Sequence, residues 1–290
     1  MNPTLSVIYG ELVLSLYPVL IKSVNTTIFT QMLSRFITFS VLAIAFGSSD
    51  FLSVWSTPHE AFIGILYNLL NVCHIGASYI AFKNLHVSTA ISLFYLYPIF
   101  NVIAGFFIFG ESLSYISILL IALSFIGTYL IAISYKTRQT TPTTLTVSTL
   151  SSNTTGIIMG IIAALTETCI FISVRSKNVS PYYTINKLYP AGLFGLLIYG
   201  IFNKNIVDTS SINWTKLLGF NAILGFTGYI ARFYAIPKIP IIIFSMLSFL
   251  GVTFGYIWDI FLTGDTPTIK AFIGSGLIAG SAAMLRYFDN

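Results

Sequence analysis

Ala81-Phe-Lys-Asn-Leu-His-Val-Ser-Thr-Ala90 runs on through Tyr97-Pro98 to Gly110-Glu111-Ser112. About 154 positions later, Ala235-Ile-Pro-Lys-Ile-Pro240 runs on to Gly264-Asp265-Thr266. In each stretch a short Lys-containing junction precedes a long apolar run. Gly, an acid and a hydroxyl residue close that run, and a further apolar run follows. A period of half the chain predicts two related halves, each built from the same succession of elements.

Composition says what those elements are. Of 290 residues, 56% are hydrophobic and 8% charged, with a mean hydropathy of +0.86. Water-soluble domains carry roughly 25% charged residues, so this chain lacks the polar surface that water demands. It reads as an integral membrane protein with the bilayer as its main partner; which membrane is left open. The net charge of +5 contains no basic run, which excludes nucleic acid as a partner. Cys73 and Cys169 lie in apolar stretches without metal-ligand or redox spacing, and the reading assigns no metal and no cofactor. The N-terminus lacks a basic region and a small-residue cleavage site, so its apolar segment reads as a retained span.

A membrane helix needs about 20 mainly apolar residues. Such segments fall at 5–24, 27–46, 61–82, 88–109, 114–134, 156–175, 183–202, 214–235, 240–262 and 268–287. Barrel strands would be about 10 residues long and alternate in polarity, which these do not. Most junctions are short, making neighbours antiparallel. Residues 136–155 are Thr/Ser-rich and read as a flexible linker between halves 1–135 and 156–290. Sequons at Asn25, Asn153, Asn178 and Asn213 come cheaply in such a chain. Five spans per half is an odd number, so the second half must insert upside down. The expected fold is all-α: ten transmembrane helices as two inverted five-helix repeats. That plan suits secondary carriers, whose site lies near the midplane between repeats.

The repeated pattern resembles the EamA-type members of the drug/metabolite transporter superfamily over nearly the whole chain. The first half supplies Lys22, Arg35, Ala81-Phe-Lys83, Pro98 and Gly110-Glu111; the second supplies Arg175, Lys187, Ala235-Ile-Pro237 and Gly264-Asp265. Val252 departs from the pattern where Pro98 has its counterpart, and Asp265 replaces the Glu. The resemblance implies a permease for a small solute, and within the superfamily it spans amino acids, nucleotide sugars, drugs and other metabolites.

A charge in hydrocarbon costs at least about 2.5–3.5 kcal/mol, so ionisable residues inside spans are the first candidates for chemistry. Glu167 lies mid-way along the sixth span between Thr166 and Thr168; it could bind a coupling proton or a substrate ammonium, or pair with another helix. Arg35 lies near the middle of the second span, with Lys187 as its approximate counterpart in the seventh. Together they could hold a carboxylate or phosphate in a central cavity. Alternatively Arg35 pairs with Glu167 or Glu11, and Lys187 snorkels. Glu11 sits two turns into the first span. Asn68, Asn71 and His74 form a polar stripe on the third, where His74 could relay protons or simply pack. Tyr95, Tyr97 and Trp258 could line a cavity. Pro98 and the Pro237/Pro240 pair interrupt helices. Glu111 and Asp265, at helix junctions, read as caps or framework. Arg232 and Asp259, near span ends, read as interface anchors or pairing partners. The pairs Gly156/Gly160, Gly251/Gly255 and Gly276/Gly280 suit close helix contact, within a monomer or a homodimer.

Basic residues in connections number seven on one side (Lys22, Lys83, Lys136, Arg138, Lys204, Lys216, Lys270) and four on the other (Arg175, Lys177, Lys238, Arg286). The positive-inside rule then puts both termini outside, whereas the resemblance implies both in the cytoplasm; the latter orientation is kept. Three histidines, no His-box and no Gly-x-Ser-x-Gly argue against an enzyme. The leading expectation is a secondary carrier for a small polar or amphipathic metabolite, working by alternating access with possible proton coupling. The alternative is a receptor or scaffold with a transporter-like fold.

Overall fold

The computed structural model describes residues 2–85, 87–134, 147–264, 266 and 268–288. Among them every regular element is helical. The first span is broken into α1 (Pro3–Leu14) and α2 (Tyr17–Ser23), and the second is α3 (Ile28–Phe46). A short helix α4 (Ser48–Val54) lies in the connection to the third span, α5 (Pro58–Asn84). The fourth is broken into α6 (Val87–Phe94) and α7 (Tyr97–Phe109), and the fifth is α8 (Tyr115–Ser134). The sixth, α9 (Val147–Arg175), begins inside the stretch expected as linker, whose residues 147–155 are therefore helical; 136–146 lie outside the described residues. The seventh divides into α10 (Pro181–Leu188) and α11 (Pro190–Phe202). The eighth runs through α12 (Ser211–Phe220), a π-helical turn Asn221–Phe226 and α13 (Thr227–Ala235). The ninth is α14 (Ile241–Ser248) with α15 (Leu250–Thr263), and the tenth is α16 (Ile269–Phe288).

The later spans of the two halves share one register, 154 positions apart. The caps that open α3 and α10, Thr27 and Ser180, stand 153 apart, and the π-helical turn adds the further residue. Gly110 and Gly264, both 154 positions apart in type and place, end α7 and α15 in the left-handed region at φ of 67° and 74°. That conformation favours glycine. At the same offset, α8 and α16 begin and end at equivalent residues. The carbonyl of Leu85 accepts from the Lys22 ammonium, and its counterpart, the carbonyl of Ile239, accepts from the Arg175 guanidinium. The closest helix pairs cross between halves: α5 with α9, α1 with α13, and α8 with α16. In the last pair, a Cβ on either Gly127 or Gly274 would run into the backbone carbonyl of the other glycine. Outward faces are greasy: Phe107, Phe202 and Phe272 are 78%, 83% and 76% exposed. Such a belt belongs against lipid.

Three of the four broken spans break at the same tripeptide. Leu16-Tyr17-Pro18, Leu96-Tyr97-Pro98 and Leu188-Tyr189-Pro190 each close one half-helix and open the next. Proline suits the first turn of the new half because its missing N–H would have had no partner there. It also leaves carbonyls of the preceding half unpaired, and side chains take them up. Ser15 Oγ and Trp258 Nε1 both donate to the Leu12 carbonyl at 2.9 Å. Asn68 Nδ2 donates to Lys187 O at 2.7 Å while its Oδ1 accepts from Gly192 N at 2.8 Å; Asn71 Nδ2 donates to Leu188 O at 2.9 Å. The ninth span breaks at Phe249 without a proline.

The polar stripe on α5 thus divides by role. Its two asparagines clamp the break in the seventh span. Asn68→Leu is expected to lower the melting temperature of the purified protein in detergent more than Asn71→Leu does. It removes bonds on both sides of the break, each worth about 0.5–1.5 kcal/mol with a further penalty for the orphaned groups.

Candidate functional site

The breaks turn three tyrosines inward, onto two arginines. Arg232 on α13, 2% exposed, sits between two carboxylates. Its Nη1 lies 2.8 Å from Glu167 Oε1 and its Nε 3.6 Å from Glu11 Oε1. Its guanidinium also lies over the Tyr97 ring at 4.6 Å. Tyr95 and Tyr97 donate to Glu11 at 2.7 and 3.0 Å. On the far side of Glu167, Oε2 is 3.1 Å from Nε2 of His74, an approach poorly aligned for a hydrogen bond. In the row Glu11–Arg232–Glu167–His74 the two ends therefore come from the first half and the middle pair from the second. All four side chains are buried. In hydrocarbon such charges persist only when paired, and these are.

Arg35 on α3 is also buried, at 3% exposure, but its partners carry no formal charge. Nε and Nη2 donate to the Tyr189 hydroxyl at 3.3 and 3.2 Å, and Nη1 to Tyr79 at 3.5 Å. Tyr17 and Tyr229 face the guanidinium at 4.8 Å each, and Phe39 at 5.2 Å. Among the described residues no carboxylate comes within 4 Å of it. A cavity of about 30 Å³ lies beside it, lined by Arg35, Arg232, His74, Phe94, Tyr95 and Tyr229 among others. That is room for about one water.

Two glycines make the tyrosine placement possible. A Cβ at Gly225, in the π-helical turn, would collide with the Tyr17 hydroxyl, which donates to Asn221 at 2.9 Å. A Cβ at Gly251 would collide with the Tyr95 hydroxyl.

Of the residues singled out in the sequence, Arg35, His74 and Tyr95 line this chamber, while Glu11 and Glu167 stand behind its wall on Arg232 and His74. Asn71 and Trp258 serve the helix breaks instead, and Pro98 opens α7. Lys187 does not join Arg35. Its ammonium is 3.7 Å from Glu60 and 4.7 Å over the Tyr67 ring, in a separate pocket. From the same seventh span it is Tyr189, at the start of α11, that the Arg35 guanidinium touches. Arg35 pairs with neither Glu167 nor Glu11, because Arg232 occupies both. Glu111 lies outside the chamber. It takes Arg175 at 2.7 Å on one oxygen and the Ile241 N–H on the other at 2.9 Å, joining the first half to the start of α14. Asp265 lies outside the described residues.

Arg232 is the residue that the sequence reading misplaced. It stands three positions from the end of α13 and was expected as an interface anchor or a pairing partner; it is the latter, and buried, and Asp259, expected likewise, is 1% exposed. Helical side chains lean towards the N-terminus of their helix, so a long side chain near a C-terminal end projects back into the span. Sequence distance from the helix end therefore understated its depth.

Comparisons with known proteins agree with this architecture. The family model described as EamA-like transporter family matches twice, over residues 4–133 and 154–287. "Uncharacterized transporter YxxF" of Bacillus subtilis (strain 168) is 28% identical over 207 residues, covering 70% of this chain. The match spans 63% of that relative's own length, less than two thirds of it. A solved crystal structure superposes with a TM-score of 0.74 at 16% identity, covering 99% of this chain and 96% of the other, a likeness of fold. Ten helices in two inverted repeats and a family match across both halves lead to one conclusion: the chain belongs to the EamA-like transporter family and is a multi-pass membrane protein.

Proposed function

We propose that the protein is a secondary carrier of a small polar or amphipathic metabolite, working by alternating access and exchanging a proton at Glu167 and His74. The observation that carries this reading is the partner set of His74. Its Nδ1 lies 3.1 Å from the Ala163 carbonyl, which can only accept. Thr166, 3.2 Å away, can direct its own proton to Ile162 O at 2.8 Å. Nδ1 is thus the protonated nitrogen, which leaves Nε2, 3.1 Å from Glu167, as the nitrogen free to gain a proton. Two acceptors at that distance repel unless a proton lies between them.

The mobile contacts of that row join opposite repeats. His74 to Glu167 and Glu11 to Arg232 both cross between halves, whereas Glu167 to Arg232 stays within one. Rocking one repeat against the other would load or release the shared proton while Arg232 remains with Glu167. In sealed proteoliposomes, solute movement by the wild type should respond to an imposed pH gradient. Glu167→Gln is expected to keep downhill exchange and lose that response. Unchanged pH-driven accumulation by the variant would remove Glu167 from coupling, and no solute movement by the wild type would count against the carrier.

A further inference from the structure

Arg35 holds a buried positive charge that no carboxylate among the described residues answers, and it lines the chamber. Its hydroxyl partners stand at 3.2–3.5 Å, long for bonds from a guanidinium. A buried cation held only by phenols and ring faces is a ready seat for an anion. Resting on the carrier reading above, we infer that Arg35 docks the carboxylate of the carried solute, an organic monocarboxylate with an apolar body and no ammonium group.

Each part of that description has its own observation. A single fork-shaped guanidinium matches one planar carboxylate. A dianion would need a second free cation. Lys187 is held at Glu60 in another pocket, and Arg232, though in the chamber wall, is committed to Glu11 and Glu167. An ammonium would need a free carboxylate facing the solute. Neither Glu11 nor Glu167 forms part of the chamber wall, and each is taken up by its own partners. The polar part of the remaining wall is Ser15, Ser78, His74 and Tyr95, and its apolar part is Phe82, Ile91, Phe94 and the rings of Tyr17 and Tyr229. Those surfaces suit a hydrocarbon or aromatic body.

The test is binding to the purified full chain in detergent, read by thermal shift and titration. The acid probes run from acetate to 3-phenylpropionate. The controls are 3-phenylpropanamide, phenylalanine and phenyl phosphate. Expected is that at least one acid of the series binds, and that 3-phenylpropionate binds roughly tenfold or more tighter than each control, the scale of one charge-assisted hydrogen bond. Arg35→Gln should abolish that preference, and Arg35→Lys, with charge but no fork, should fall between. Should Arg35→Gln fail to fold, the acid-to-amide ratio on the wild type decides alone. Equal affinity for acid and amide, tighter binding of phenylalanine or the phosphate, no binding by any acid, or a preference surviving Arg35→Gln each overturns the assignment. Binding without movement in proteoliposomes upholds the site and fails the carrier reading. Movement of an uncharged solute that ignores Arg35 does the reverse.

Discussion

Arg232→Met is expected to produce the largest loss of any single substitution in the protein, with little folded material recovered in detergent. The side chain it removes is the cation between Glu11 and Glu167, both buried. Removing one member of a buried ion pair leaves the others uncompensated, at about 3–5 kcal/mol. Methionine fills much of the same volume, so the deficit is electrostatic and not a cavity. The distinguishing measurement is the triple variant Arg232→Met, Glu11→Gln, Glu167→Gln. Taking charge and countercharge away together should restore most of the melting temperature while leaving transport absent. If the triple variant melts as low as the single one, packing by the guanidinium over Tyr97 and Phe244 is the true contribution.

Gly251→Ala is expected to act on the same cluster from the opposite side. The new methyl would occupy the place of the Tyr95 hydroxyl, so the phenol must swing away from Glu11 or α15 must move out. Overpacking of this kind costs about 1–3 kcal/mol. Tyr95→Phe removes the atom in conflict and forfeits one bond to Glu11. The double variant should therefore be more stable than the sum of the two singles predicts, and a melting-temperature cycle measures that coupling. Strict additivity would mean that the helix yields instead of the ring.

How far the sequence revealed this site depends on the kind of contact. The repeated Lys junction and the Gly-acid ends were enough for two inverted halves, because topology follows from span count and period. Glu167, Glu11, Arg35 and His74 stood out because charge in an apolar span is expensive wherever it points. The partner of each was hidden. Lys187 looked like the mate of Arg35 by position along the chain, yet Glu60 at the start of α5 holds it elsewhere. Arg232 looked peripheral because helix ends measure backbone position and not the reach of a side chain. The thrice-repeated Leu-Tyr-Pro carried a signal of its own: its proline opens the helix after each break, and its tyrosine then meets one of the two buried arginines.

The contact between Arg35 and Tyr189 has a geometric consequence. It is one of four that hold the guanidinium between the repeats: Tyr17 and Tyr79 come from the first half, Tyr189 and Tyr229 from the second. A group gripped evenly from both sides sits on the seam itself. Under the rocking proposed above, the seam is the part of the molecule that is displaced least. A solute seated there would not need to travel with either repeat; the openings to the two membrane faces would change around it.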